Sequence, residues 1–187
     1  MINRRSAMFG LAAVIIAPQT AFAAKAKKKF VLDAKFVPQL VDFPSVYAIG
    51  SVVVDPQNRF LYLVEATGVA RRYGVGVGRA GLAWSGTAEV ARKAKWPSWT
   101  PTKNMIKRNP KKYAKYAGGV AGGPNNPLGS RALYLYRNGR DTYYRIHGTT
   151  EPWTIGQAVS NGCIRMLNEH VADLYDRVPV GTTVIVL

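Results

Sequence analysis

The run from Arg131 to Ile146 limits the choice of fold more than any other stretch of the chain. Arg131 to Tyr136 and Thr142 to Ile146 are rich in aliphatic and aromatic residues, and Asn138-Gly139 stands between them. An Asn-Gly pair accepts positive φ at both central turn positions, the conformation that matches the twist of two strands leaving a hairpin. The same grammar appears upstream. Val52-Val53-Val54 reads as a short strand and Asp55-Pro56-Gln57-Asn58 as its turn, followed by β-rich runs at Arg59 to Val64 and Val69 to Val77 around Thr67-Gly68. Paired runs in this order describe a meander of antiparallel strands.

Helical spacing is clear at one place. Val171, Leu174, Tyr175 and Val178 share a face behind Asn168, read here as the cap, and Pro179 stops the helix. Thr182 to Leu187 closes as a strand. From Gly81 to Gly123 the β pattern breaks down, with Trp84, Trp96 and Trp99 set among Pro97, Pro101, Pro110 and many lysines. Short helical pieces are expected near Ala88 to Lys95 and Thr102 to Arg108. A loop of that length usually serves function, and two readings stay open: a lid over a substrate, or a basic insertion. The expected architecture is mostly β, a β-sandwich or barrel-like sheet with one helix near the C-terminus and a long excursion.

The chain has 187 residues, 48% of them hydrophobic, enough to build one core. Arg4 and Arg5, the apolar stretch Phe9 to Ala17 and Ala21-Phe22-Ala23 follow the order of a secretory signal, expected over 1–23 with cleavage after Ala23. The adjacent arginines leave two export routes open, the twin-arginine path and an ordinary leader. Residues 24–50, basic and then extended, read as an N-terminal arm, and 51–187 as the folded domain. Export places the protein in the periplasm or cell envelope. The formal net charge is +16, which favours anionic envelope polymers as partners; an exported protein does not meet nucleic acid.

Export also changes the meaning of the single cysteine. Cys163 has no partner within the chain, and a lone thiol in an oxidising compartment is either buried and inert or kept for its chemistry. A histidine beside a thiol can take its proton, form an ion pair and later protonate a leaving group. Of the two histidines, His147 ends a strand before Gly148, whereas His170 lies in the first turn of the helix, where the dipole disfavours imidazolium. His147 is the better base. Gly162 permits a turn that brings backbone N–H groups beside the sulfur, an oxyanion arrangement worth roughly 3–4 kcal/mol per donor. Arg165, two residues on, falls on the same side as Cys163 in an extended segment and offers a planar fork to a carboxylate or to a structural ion pair.

Ile146-His147-Gly148-Thr149, Ile155-Gly156 and Ser160-Asn161-Gly162-Cys163-Ile164-Arg165-Met166 together resemble the signature of the YkuD-type L,D-transpeptidases. Asn126-Pro127-Leu128-Gly129, Arg131-Ala132-Leu133 and the Trp96 to Met105 segment add to the likeness, which runs from about Val52 to Leu187. Asn161 departs from it, standing where many relatives have histidine. The resemblance implies a β-sandwich-like fold with its cysteine at a cleft, and peptidoglycan stem peptides as substrates. It implies that Cys163 attacks the amide carbonyl at the L-centre of the third residue of a tetrapeptide, that D-alanine leaves, and that an amine resolves the thioester. That amine belongs to another stem, giving a 3–3 cross-link, or to an envelope protein. His147 is then the base with its ring oriented by the Gly148 carbonyl, and Gly162 and Cys163 supply oxyanion N–H groups. Arg165 fixes site or substrate, and Ser160 and Thr149 either support the site or simply cap turns. No metal and no organic cofactor is implied.

Rival readings share some of these residues. Water in place of the amine gives a hydrolytic L,D-carboxypeptidase. Sortase-like transfer also uses His, Cys and Arg, but with the arginine on a later strand, and a non-catalytic wall-binding module needs only the basic surface. Gly76-Val77-Gly78-Arg79-Ala80-Gly81 has the spacing of a dinucleotide-binding loop, yet no helix pattern follows it, so these glycines are expected to close a strand.

Overall fold

Strands are the dominant regular structure of the 30–187 region that the computed structural model describes; the expected leader and the first residues of the arm lie outside it. In chain order the strands are β1 (Gln39–Asp42), β2 (Val52–Asp55), β3 (Phe60–Ala66), β4 (Val69–Gly74), β5 (Val77–Gly78), β6 (Gly86–Lys95), β7 (Arg131–Arg137), β8 (Arg140–His147), β9 (Ala158–Ser160), β10 (Ile164–Arg165) and β11 (Thr183–Val186). Two short helices, α1 (Lys103–Arg108) and α2 (Pro110–Tyr113), precede β7, and α3 (Asn168–Arg177) precedes β11.

Nine strands form one sheet in the order β1-β4-β3-β2-β11-β6-β7-β8-β10, and β5 pairs with β9 separately. Within the large sheet neighbours are antiparallel except for β11 on β2 and β10 on β8, and β5 runs parallel to β9. The turns are those the sequence announces. Asn138 and Gly139 both take positive φ between β7 and β8, and Asp55 accepts the N–H groups of Gln57 and Asn58 at 2.9 and 3.0 Å. Val52 to Val54 and Ala132 to Tyr134 are buried without alternation, the pattern of strands covered on both faces.

The sheet curls until its flanks meet. Past β4, Gly76 and Arg165 exchange backbone hydrogen bonds of 2.9 and 2.7 Å, joining the β4 side to β10 at the far edge. One core cluster accordingly contains Leu61 and Tyr73 from one flank, Leu133 and Ile146 from the other, and Val171, Leu174 and Val178 of α3. This is the barrel-like sheet the sequence predicts. Lys93 reaches the last turn of α3 and donates to the carbonyls of Tyr175 and Val178 at 2.5 and 2.7 Å, satisfying acceptors that a helix end leaves open.

Three expectations need correction. Ala88 to Lys95 is not helical but lies in the ten-residue strand β6. Its alanines and lysines have helical propensity, yet the ladders to β11 and β7 outweigh it. The excursion therefore begins after Lys95, not at Gly81, and only its Thr102-capped helix α1 follows the expected pattern. Asn168 does not cap α3. Leu167 holds that position without a side-chain cap, and Asn168 reaches across to another loop. The arm, in its described part 30–50, adds β1 to the sheet edge and buries Phe36 against Ile155 and Leu167.

Candidate active site

β10 lies beside β8 in parallel, with Ile164 opposite Ile146 and Arg165 opposite His147. The turn 160–163 feeds β10, so Cys163 arrives next to the strand that carries His147. Both side chains line one cavity of about 880 Å³, together with Ser160, Asn161 and Arg165.

The turn is built by Ser160. Its hydroxyl donates to the Cys163 carbonyl at 2.6 Å and accepts the Gly162 N–H at 3.1 Å. Gly162 has φ +119, and a Cβ there would run into the Tyr144 ring and the Leu82 carbonyl. Gly78 packs against Gly162 from behind, leaving no room for a side chain. The glycine run of residues 76–81 thus forms β5 and the back of the cysteine turn.

This geometry changes one assignment. The Gly162 N–H points inward to Ser160 and is not a free oxyanion donor; the Cys163 N–H has no hydrogen-bond partner among the described residues.

His147 is buried at the end of β8, and its Nδ1 lies 2.5 Å from the Gly148 carbonyl. A carbonyl can only accept, so Nδ1 carries the proton and Nε2 presents a lone pair. Gly148 is fixed in turn by Asn168, whose Oδ1 accepts the N–H groups of Ser130 and Thr149 at 3.1 and 3.2 Å and whose Nδ2 donates to the Thr149 carbonyl at 3.1 Å. A Cβ on Gly148 or Gly129 would collide with that Asn168 oxygen. Thr149 is buried, off the cavity wall, and accepts the Glu151 N–H at 3.0 Å, which staples the loop after β8. Arg165 lines the cavity, but its guanidinium is paired with Glu151 at 2.8 Å and is 17% exposed, which favours the structural reading over a free carboxylate fork.

Residues 50–186 match the family model of the YkuD L,D-transpeptidase catalytic domain. The chain belongs to the YkuD family. The probable L,D-transpeptidase ErfK/SrfK of Escherichia coli K12 is 36% identical over 152 residues, covering 79% of this chain and 47% of that protein. The YkuD chain thus spans about half the length of the curated relatives it matches. A crystal structure from Brucella melitensis, described as a probable carnitine operon oxidoreductase caia, is 56% identical with a TM-score of 0.57, covering 83% of this chain and 96% of that one. The oxidoreductase description is that protein's; here the glycine run with dinucleotide-loop spacing opens no helix. The L,D-transpeptidase from Mycobacterium smegmatis, 20% identical, has the same fold with a TM-score of 0.55 over 73% of this chain and 57% of that one.

Electrostatics in the YkuD site favour uncharged partners. Burial, then the nearby Arg165, lower the His147 pKa to about 3, although its bond to Gly148 opposes the shift and Arg145 adds to it. Burial pushes the Cys163 thiol up, against the backbone of Arg145 and the charges of Arg145 and Arg165. Both shifts favour thiol and neutral imidazole over an ion pair at rest: at the thiol desolvation outweighs the two guanidinium groups, and at the ring those groups add to it.

Several contributors escaped the sequence reading. β8 bulges at 142–144, where Tyr143 takes φ +62 and its carbonyl faces the Cys163 sulfur at 3.8 Å. Asp141 accepts the Tyr143 N–H at 2.8 Å and grips the Arg145 guanidinium at 2.7 and 2.8 Å, while Thr142 accepts the Tyr144 N–H at 3.1 Å. The excursion closes over the cavity, held by Asn161 Nδ2 donating to the Tyr113 hydroxyl at 2.9 Å. Asp141-Thr142 inside a strand run was the available signal, since both types favour turns.

Proposed function

We propose that this domain is a peptidoglycan L,D-transpeptidase acting in the cell envelope, with Cys163 as nucleophile and His147 as base. One observation carries the reading: a thiol and an imidazole with its Nε2 lone pair unblocked share a cavity large enough for a stem peptide. The family supplies the reaction class.

In the proposed cycle His147 Nε2 takes the thiol proton as sulfur attacks the amide carbonyl of the third stem residue. The Cys163 N–H donates to the resulting oxyanion. Collapse breaks the C–N bond, the imidazolium returns its proton to the amine of D-alanine, and a thioester remains. An acceptor amine then attacks, His147 removes its proton, and the thiol is restored as the new amide forms. Burial, and then Arg165 pinned by Glu151, keep the resting imidazole neutral, so its Nε2 lone pair is free while the charged form is disfavoured until the acyl donor is in place.

The test is incubation of the protein, and of its Cys163→Ala variant, with a disaccharide tetrapeptide, followed by product mass analysis. Cross-linked dimer plus D-alanine from the wild type alone is the expected result. D-alanine with free trimmed stem and no dimer supports the hydrolytic reading, and an unchanged substrate overturns both.

A further inference from the structure

The floor and the roof of the cavity carry their charges differently. On the floor Arg165 is paired with Glu151, and Arg145 is clasped by Asp141. On the roof Lys103, Lys107 and Arg108 of α1 and Lys112 of α2 line the same cavity. None of these four makes an ion pair among the described residues. Among the described residues Glu151 is the one acidic side chain on the cavity wall, and Arg165 already occupies it.

A six-residue helix is too short to hold itself together. Lys103 and Lys107, four apart and alike in charge, weaken it further. The roof nevertheless keeps these cations over the site, fastened beside the cysteine turn by the Asn161–Tyr113 bond. An anion entering beneath α1 would relieve the repulsion, and a donor that presents its carbonyl to Cys163 enters the cavity these cations line.

We infer that α1 and α2 read the carboxylates of the acyl donor, an inference that rests on the transpeptidase reading: the domain selects stems whose side carboxyl groups are free acids over the same stems carrying carboxamides. Lys107 and Arg108 are specificity-determining residues, and Arg165 is not.

The experiment compares two disaccharide tetrapeptides, one with free carboxyl groups on its second and third residues and one with both amidated. Turnover is measured with the full chain and with Lys107→Gln/Arg108→Gln, and binding is measured on the Cys163→Ala protein with and without the same two changes. The wild type is expected to favour the free acid by about tenfold, roughly the effect of one charge-assisted hydrogen bond. That preference should reside in KM more than kcat and shrink with added salt. The double variant should lose most of it in both turnover and binding. Equal use of the two donors by the wild type overturns the inference, as does a preference that survives in the double variant. Failure to turn over either donor ends the transpeptidase reading, and the binding ratio on the Cys163→Ala protein still decides the charge selection.

Discussion

Burial pushes the Cys163 thiol up and holds His147 down at about 3, so at neutral pH sulfur keeps its proton until an acyl donor arrives. That arrangement leaves a signature in the free protein. The rate of alkylation by iodoacetamide should climb with pH and continue climbing past the ordinary thiol range near ~8.5. A plateau already reached between pH 6 and 8 would mean a standing thiolate–imidazolium pair and sink the neutral-pair account. Cys163 and His147 were legible in the sequence because so few residues compete for their roles, one cysteine and two histidines, and because their neighbours stand in a recognisable order. The Gly162 amide and Thr149 were not. Where their polar groups point depends on Ser160 and on Asn168, and Asn168 works across 38 positions to Ser130. Such reach is a property of packing, invisible to local spacing.

At the scale of elements, the β8 bulge and the loop after it decide how the two reacting side chains meet. Gly148→Ala places a methyl group against the Asn168 oxygen and the Gly129 backbone. It should destabilise the fold by about 1–3 kcal/mol, the usual cost of overpacking, and lower turnover by disturbing the imidazole anchor. Adding Asn168→Ala should recover part of both losses in urea unfolding and in the stem-peptide assay. If the double variant is merely the sum of two independent losses, the contact does not matter. The hairpin at Asn138-Gly139, the meander and α3 were readable because turn residues and periodicity are local. β6 was not, because Ala- and Lys-rich sequence has no strand character until β7 and β11 flank it. The bulge at Tyr143 stayed hidden for a similar reason, since a non-glycine residue at positive φ is held there by Asp141 and Thr142 and not by its own preference.

The whole molecule should respond to acid through its two histidines. His147 and His170 are both buried with lowered pKa values, so the unfolded chain binds protons that the folded chain refuses. Stability is fully present above the unfolded histidine pKa near ~6.5 and is lost as pH falls toward the folded value of about 3 for His147. Urea midpoints taken from pH 8 down to pH 4 should fall below pH 6.5, and replacing His170 by Gln should flatten part of that slope. A midpoint independent of pH across this range would show that neither ring is desolvated in solution.

The position of β11 has a consequence for the order in which the chain can take shape. Its four residues are wedged between β2 and β6, strands made more than 80 residues earlier. As the polypeptide emerges from its N-terminal end, both of those strands wait with an unclaimed row of amides and carbonyls along one side. The nine-stranded sheet cannot become continuous between β2 and β6 until residues 183–186 appear, so the wall behind the cleft is completed last, by the final strand of the chain.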